Sequence, residues 1–401
     1  MRRKWTKRVD DIVLHQLAAY PLLGLVMFGI FRTAFGTLGQ GMSNKLTAWL
    51  TTAAVWLGGM LEQIGVSSGL RGLVIDGMIV GVSSVLSFTP VIMLLFLCLS
   101  LLEDCGYMAR AAFLMDKPLQ AIGLTGRSFI PMLMGFGCSV PAVMAARSMH
   151  TDRDRRLTIL LIPFISCGAK LPVYALLASA FFPDMADAAV SIVCLGGLLV
   201  GIGCGKVLSS TFLRSRGEPF IMELPPYRMP SMENVMRNIW RRLSDFLTRA
   251  FTVILLSSVL IWFLCTYNSR FQVAASLQSS ILGEVAGVVT VFLRPLGFGS
   301  PEAASAVLTG LLAKESIIST LAVTLGTGTT GDELKLALRV LFPTDAAACS
   351  FLTFVMLYTP CVAAMTTIRR ELGSLRETLL CAAGQMGLAW LCAYVIYHAL
   401  M

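Results

Sequence analysis

Five stretches of this sequence run for about twenty residues with hardly any charge: residues 12–35, 158–182, 246–264, 351–368 and 379–400. A helix rises 1.5 Å per residue, so about twenty apolar residues cross the hydrocarbon layer of a bilayer. Inside that layer each backbone N–H and C=O needs a partner from the chain itself, and a helix supplies one locally. The runs therefore predict an all-α membrane protein, a polytopic helical bundle. Composition agrees, with 56% hydrophobic and only 14% charged residues, too few polar side chains to coat a soluble globule. The first run is too long, and too soon followed by others, to be only a cleaved signal peptide. Residues 36–69, with Trp49 and Trp56, read as one more span or an interfacial helix. Residues 70–86 and 90–102 are apolar and separated by Phe88-Thr89-Pro90.

Of the 32 Lys and Arg, 20 fall in four short segments beside apolar runs: residues 2–8, 147–156, 206–249 and 369–376. This is the pattern of cytoplasmic loops in membrane proteins, and it places the N-terminus in the cytoplasm. It accounts for the net charge of +9 without nucleic-acid binding. Residues 209–240 are the most water-compatible stretch and read as a cytoplasmic connection leading into an amphipathic helix. The eleven cysteines form no C-x-x-C pair, which argues against a zinc ribbon or an iron–sulfur cluster. Cys98, Cys194, Cys265 and Cys392 read as small buried hydrophobes. His15, His150 and His398 read as structural. No phosphate-binding loop is present, because Gly203-Cys204-Gly205-Lys206 lacks both the upstream Gly and the Ser or Thr. The chain is thus not read as an enzyme, and no resident cofactor is expected.

Three apolar segments contain their own interruptions. Gly135-Phe136-Gly137-Cys138-Ser139-Val140-Pro141 combines residues that unsettle a helix with a cysteine. Ser166-Cys167-Gly168-Ala169-Lys170-Leu171-Pro172 and Tyr358-Thr359-Pro360-Cys361 repeat the arrangement. Irregular backbone at membrane depth must line a cavity or be buried in protein. Two readings stand for each: a kink with a packed cysteine, or a site where sulfur and freed carbonyls meet a cation. Three cysteines at three breaks favour the second, and soft sulfur favours a transition metal over sodium, magnesium or calcium. Charges near apolar segments cost roughly 2.5–3.5 kcal/mol each, so Glu103, Asp104, Lys170, Lys314 and Glu315 should pair internally or face a cavity. Glu103 and Glu315 would attract a dication; Lys314 and Asp104 are expected to form local ion pairs at membrane ends. The order acidic residue, cysteine at a break, then arginine occurs twice, from Glu103 to Arg147 and from Glu315 to Arg369. It suggests two repeats with broken helices.

These segments resemble the ferrous iron transport protein B family (FeoB), whose two gate regions correspond to the two broken units. The resemblance is carried by residues 102–110, 135–147, 166–174, 223–228, 310–315 and 357–370, and covers nearly the whole chain from about residue 8. It implies uptake of Fe²⁺ as transported substrate through a multi-pass protein of the bacterial inner membrane. By position it implies an iron path past Cys138, Cys167 and Cys361. Gly135, Gly137, Pro141, Gly168, Pro172 and Pro360 are the elements that break the helices. The implied organisation is an N-terminal tail and first spans over 1–87, a first gate region over 88–190, a connecting part over 191–266 and a second gate region over 267–401. Family members begin with a GTP-binding domain that has no counterpart here. GTP is therefore expected only through a separately encoded GTPase domain, with a small accessory Feo-type protein, membrane lipid and a homo-oligomer as further partners. The alternative is a gate-domain transporter for a nucleoside or other solute, or a transport-inactive membrane partner.

Overall fold

The computed structural model describes residues 10–11, 13, 15, 18–211, 226–274, 277–328 and 331–401. The basic residues 2–8, and residues 212–225 of the expected cytoplasmic connection, lie outside the described residues. Among the described residues there is no β-strand, only one isolated bridge between Tyr267 and Val273. The chain is an all-α polytopic membrane protein. Its helices are α1 (Ala19–Phe35), α2 (Thr37–Gln63), α3 (Val80–Asp104), α4 (Tyr107–Gln120), α5 (Phe129–Gly137), α6 (Ser139–Ala145), α7 (Asp152–Leu161) and α8 (Leu171–Phe181). They continue as α9 (Ala186–Thr211), α10 (Met232–Thr266), α11 (Ile281–Leu293), α12 (Pro301–Leu312), α13 (Ser316–Thr324), α14 (Asp332–Leu341), α15 (Asp345–Leu357), α16 (Val362–Leu372) and α17 (Leu375–Leu400).

Five helical stretches among the described residues are long and apolar enough to cross a bilayer: Ala19–Gln63, Gly69–Asp104, Pro183–Thr211, Asp345–Leu372 and Leu375–Leu400. A sixth candidate, Ile281–Leu296 with Pro301–Leu312, is bent by 106°. Burial separates outer from inner elements. On α9, Ile192, Leu195 and Leu199 are exposed, and on α17 so are Leu379, Leu380, Leu391 and Val395. Apolar faces of this size suit lipid rather than water. On α15, by contrast, every residue from Ala346 to Leu357 except Cys349 is buried.

Two expectations meet corrections. Phe88-Thr89-Pro90 does not separate two helices, because α3 runs through Pro90 without a stop; a transmembrane helix tolerates the one lost donor when neighbours satisfy the freed carbonyl. Residues 158–182 are not one span, since α7 ends at Leu161 and α8 begins at Leu171. Residues 351–368 also divide between α15 and α16, yet they lie within Asp345–Leu372, which as a whole is long and apolar enough to be one span. At residues 158–182 the predicted break prevails over the apolar length.

The chain forms two compact units, each assembled from three stretches. Unit 1 comprises Met1–Met60, Val82–Ile162 and Ile202–Phe251. Its α3 stops where Gly106 adopts a left-handed conformation (φ 87°), which a residue without Cβ enters at no steric cost. The turn sends α4 off with Arg110 buried. That guanidinium donates to both carboxylate oxygens of Asp10 (2.8 and 3.2 Å) and to the carbonyl of Gly106 at 2.9 Å. It also lies 4.0 Å from the centre of the Tyr227 ring. Burial pushes the Tyr227 phenol up to about 12, against the opposing pull of Arg110.

Unit 2 comprises Leu61–Gly81, Pro163–Gly201 and Thr252–Met401. Its centre is α15, where a run of aromatic contacts joins Phe342, Phe351, Phe298, Phe354 and Tyr358 at centroid separations of 4.9–5.7 Å. Buried Ala346, Ala347, Ala389 and Ala393 line α15 and α17 with small side chains, which lets helices approach closely in a membrane. Ser350 donates from Oγ to the carbonyl of Ala393 at 3.0 Å and ties the two helices together.

Candidate functional site

Prolines decide where the helices open. A proline has no N–H, so the carbonyl four residues before it loses its helical donor. Pro141 withdraws the donor from Gly137, Pro172 from Gly168 and Pro360 from Met356. Each break follows. In unit 1, Cys138 is extended (φ −153°, ψ 131°) between α5 and α6. Its N–H still reaches the carbonyl of Met134 at 3.0 Å, and α6 restarts at Ser139. Gly135 and Pro141 are buried on either side of it.

In unit 2 three interruptions occur together. Residues 165–170 link the short turn Ile162–Phe164 to α8, with Leu171 N–H donating to Gly168 at 3.3 Å in place of the missing Pro172 donor. Residues 313–315 separate α12 from α13. Tyr358 and Cys361 are extended, with φ −65° and −60°, and the residue before Pro360 is itself disfavoured in a helix. Cys167 and Cys361 are both partly exposed.

Two lysines take carbonyls at the α15–α16 break, among them the Met356 carbonyl that Pro360 releases. Lys170 donates from Nζ to Met356 at 2.6 Å, with Pro163 a longer partner at 3.4 Å. Lys314 donates to Thr359 at 2.9 Å and sits 3.0 Å from the centre of the Tyr358 ring. Thr359 in turn donates from Oγ1 to Ala382 on α17 at 3.1 Å. Gly310 makes room for this: a Cβ there would collide with the Tyr358 hydroxyl and with Ile317. Tyr174 is buried beneath the first break, its hydroxyl 3.4 Å from Ser166 Oγ.

The predicted residues thus fall into separate groups. Unit 2 gathers Cys167, Cys361 and the breaking residues Gly168, Pro172 and Pro360, and it contains Glu315, the residue just before α13. Unit 1 holds Cys138 and Glu103. Glu103 ends α3 and accepts from Arg242 at 2.7 Å, an exposed pair, while Asp104 accepts from the N–H of Ser231 at 2.7 Å. Among the described residues no three His, Cys, Asp or Glu side chains converge as they would around a metal ion. Lys314 corrects its expectation. Among the described residues it forms no ion pair; it is buried and held by a carbonyl and an aromatic ring, because α12 ends inside the unit. The carbonyls of Met356 and Thr359, and the Tyr358 ring, escape a reading by residue type. Counting four residues back from Pro360 would have found the first. A cavity of about 200 Å³ at the α11–α12 bend is lined by Glu302, Ser305 and Thr324 among others, and none of the predicted residues faces it.

Apolar helices broken at cysteine- and lysine-bearing segments define a polytopic membrane protein of the gate type. The Gate family model, described as nucleoside recognition, matches residues 85–181 and 247–375, more than half of the chain. A second model, described as ferrous iron transport protein B C terminus, matches residues 190–242. The chain belongs to the gate family and, within it, to the ferrous iron transport protein B family. It is 37% identical to a protein of Staphylococcus aureus (strain COL) named Fe(2+) transporter FeoB, over 99% of this chain and 59% of that relative. A Campylobacter jejuni protein of the same name is 36% identical, over 99% of this chain and 65% of the relative. A Porphyromonas gingivalis protein named Fe(2+) transport protein A/Fe(2+) transporter FeoB fusion protein is 35% identical, over 98% and 51%. The chain therefore spans between about half and two thirds of the length of these relatives. No solved structure matches.

Proposed function

We propose that this chain carries Fe²⁺ across the bacterial inner membrane, as the permeation part of a FeoB-like uptake system with its N-terminus in the cytoplasm. The observation that carries the reading is the placement of Cys167 and Cys361 on neighbouring breaks of unit 2, each partly exposed and each in a non-helical segment with backbone carbonyls outside the regular helix pattern. Sulfur together with oxygen suits a first-row transition metal better than a hard cation. Relatives named as Fe(2+) transporters align over 98–99% of the chain, which supports the same cargo. Cys138, Cys167 and Cys361 replace water on the ion at the breaks, and Glu103 and Glu315 bias the approach toward a dication. Fe²⁺ is cargo and not a resident cofactor, and the chain makes and breaks no covalent bond. GTP acts through a GTPase partner domain. A small accessory Feo-type protein, membrane lipid and a second copy of the chain complete the assembly; the fusion in the Porphyromonas gingivalis relative supports the accessory partner.

The test is ⁵⁵Fe²⁺ uptake into proteoliposomes by Cys138→Ser, Cys167→Ser and Cys361→Ser variants. Each variant is expected to reach the membrane and to lose at least tenfold in uptake. Undiminished uptake in all three would remove the cysteine path. The Gate model's description gives a nucleoside as the rival cargo, and uptake of a labelled nucleoside without Fe²⁺ uptake by the same liposomes would favour it.

A further inference from the structure

Lys170 and Lys314 carry their charges into the least accessible part of unit 2, at 3% and 2% exposure. Among the described residues no carboxylate stands within ion-pair distance of either. A buried ammonium without a counter-ion is costly. What surrounds these two is the environment that a dehydrated cation takes, namely backbone carbonyl oxygens and an aromatic face. Lys170 holds the carbonyl that Pro360 deprives of its helical donor, at 2.6 Å. Lys314 holds Thr359 at 2.9 Å and the Tyr358 ring at 3.0 Å. The buried Tyr358 hydroxyl has no hydrogen-bond partner among the described residues. The two lysines thus occupy backbone oxygens that a metal would use.

We propose that Lys170 and Lys314 are tethered cations: their ammonium groups hold the carbonyl oxygens of the broken α15–α16 segment, and a divalent cation takes those oxygens and the Cys361 sulfur only by displacing them. The proposal rests on the reading that a divalent cation passes through unit 2. It supplies a selectivity that carbonyls alone lack. A tethered charge competes at high effective concentration, so a free monovalent ion gains nothing by exchanging with it. A dication that adds a sulfur ligand gains both charge and coordination.

The probe is Co²⁺, whose sulfur ligation is read by near-ultraviolet charge-transfer absorption on the purified full chain. Lys170→Met and Lys314→Met are each expected to bind Co²⁺ at least tenfold more tightly than the unaltered chain. Adding Cys361→Ser to Lys314→Met should abolish the sulfur band. Unchanged or weaker binding by both folded variants overturns the proposal. A second measurement needs no variant. Acetic anhydride followed by mass spectrometry should leave Lys170 and Lys314 unmodified without metal and acetylate them at saturating Co²⁺; identical labelling in the two conditions also overturns it. The two readings fail separately. If the lysine variants gain Co²⁺ affinity while liposomes of the unaltered chain take up no Fe²⁺, iron passage falls and the tethered cations stand. If Fe²⁺ uptake is intact while affinity and labelling do not move, the tethered cations fall.

Discussion

Arg110→Met removes the most fully buried cation of unit 1 while keeping a side chain of similar length. Arg110 is 1% exposed and its partner Asp10 is 21% exposed. Breaking a buried pair from one side costs about 3–5 kcal/mol, because the remaining charge is left without compensation. The low end applies here, since Asp10 keeps some access to water. The loss of the Tyr227 stack, worth about 1–2 kcal/mol when desolvated, is offset in part by the apolar contacts of methionine. The expected net loss is about 3 kcal/mol, roughly a hundredfold in the folded-to-unfolded ratio. It is measured by the shift in midpoint for unfolding in mixed micelles of rising dodecyl sulfate content, followed by tryptophan fluorescence. The Asp10→Asn/Arg110→Met pair should recover at least about 1.5 kcal/mol of that loss, because no carboxylate is then stranded. A single-variant loss below about 1 kcal/mol, or a pair whose cost is the sum of its parts, would refute the reasoning.

Two further outcomes are expected. Gly310→Ala places a Cβ against the buried Tyr358 hydroxyl and Ile317, so overpacking should cost about 1–3 kcal/mol and push the ring away from Lys314; a thermal midpoint equal to that of the unaltered chain would show that the ring moves freely. Tyr227, with its phenol held up at about 12 against an ordinary 10, should be missing from the phenolate absorbance that develops near pH 10 and appear two units later in the difference between the unaltered chain and Tyr227→Phe. Because the folded value lies above the unfolded one, the stability tied to the neutral phenol is whole below pH 10 and is lost as pH rises through about 12.

The membrane class was legible because apolar length and low charge are properties of composition, which tertiary context cannot override. The breaks at Cys138, Cys167 and Cys361 were legible for a related reason. A proline removes its donor whatever packs around it, and Gly137 and Gly168 stand at the deprived carbonyls of the first two. Pro90 shows the limit of the same rule: one missing donor within a long helix does not end it. Less could be read about the lysines. A lysine beside a glutamate, as at Lys314-Glu315, suggests a local pair at a membrane end, and only the end of α12 inside unit 2 turns the ammonium toward Thr359 and Tyr358. Sequence names the groups that can bind a cation, but it cannot say which cation holds them at rest. In unit 2 the first occupant of the opened backbone is the chain's own, since the carbonyl that Pro360 releases is 2.6 Å from Lys170. Any ion that follows must therefore be more strongly held than an ammonium, and a dication that also meets sulfur satisfies that condition.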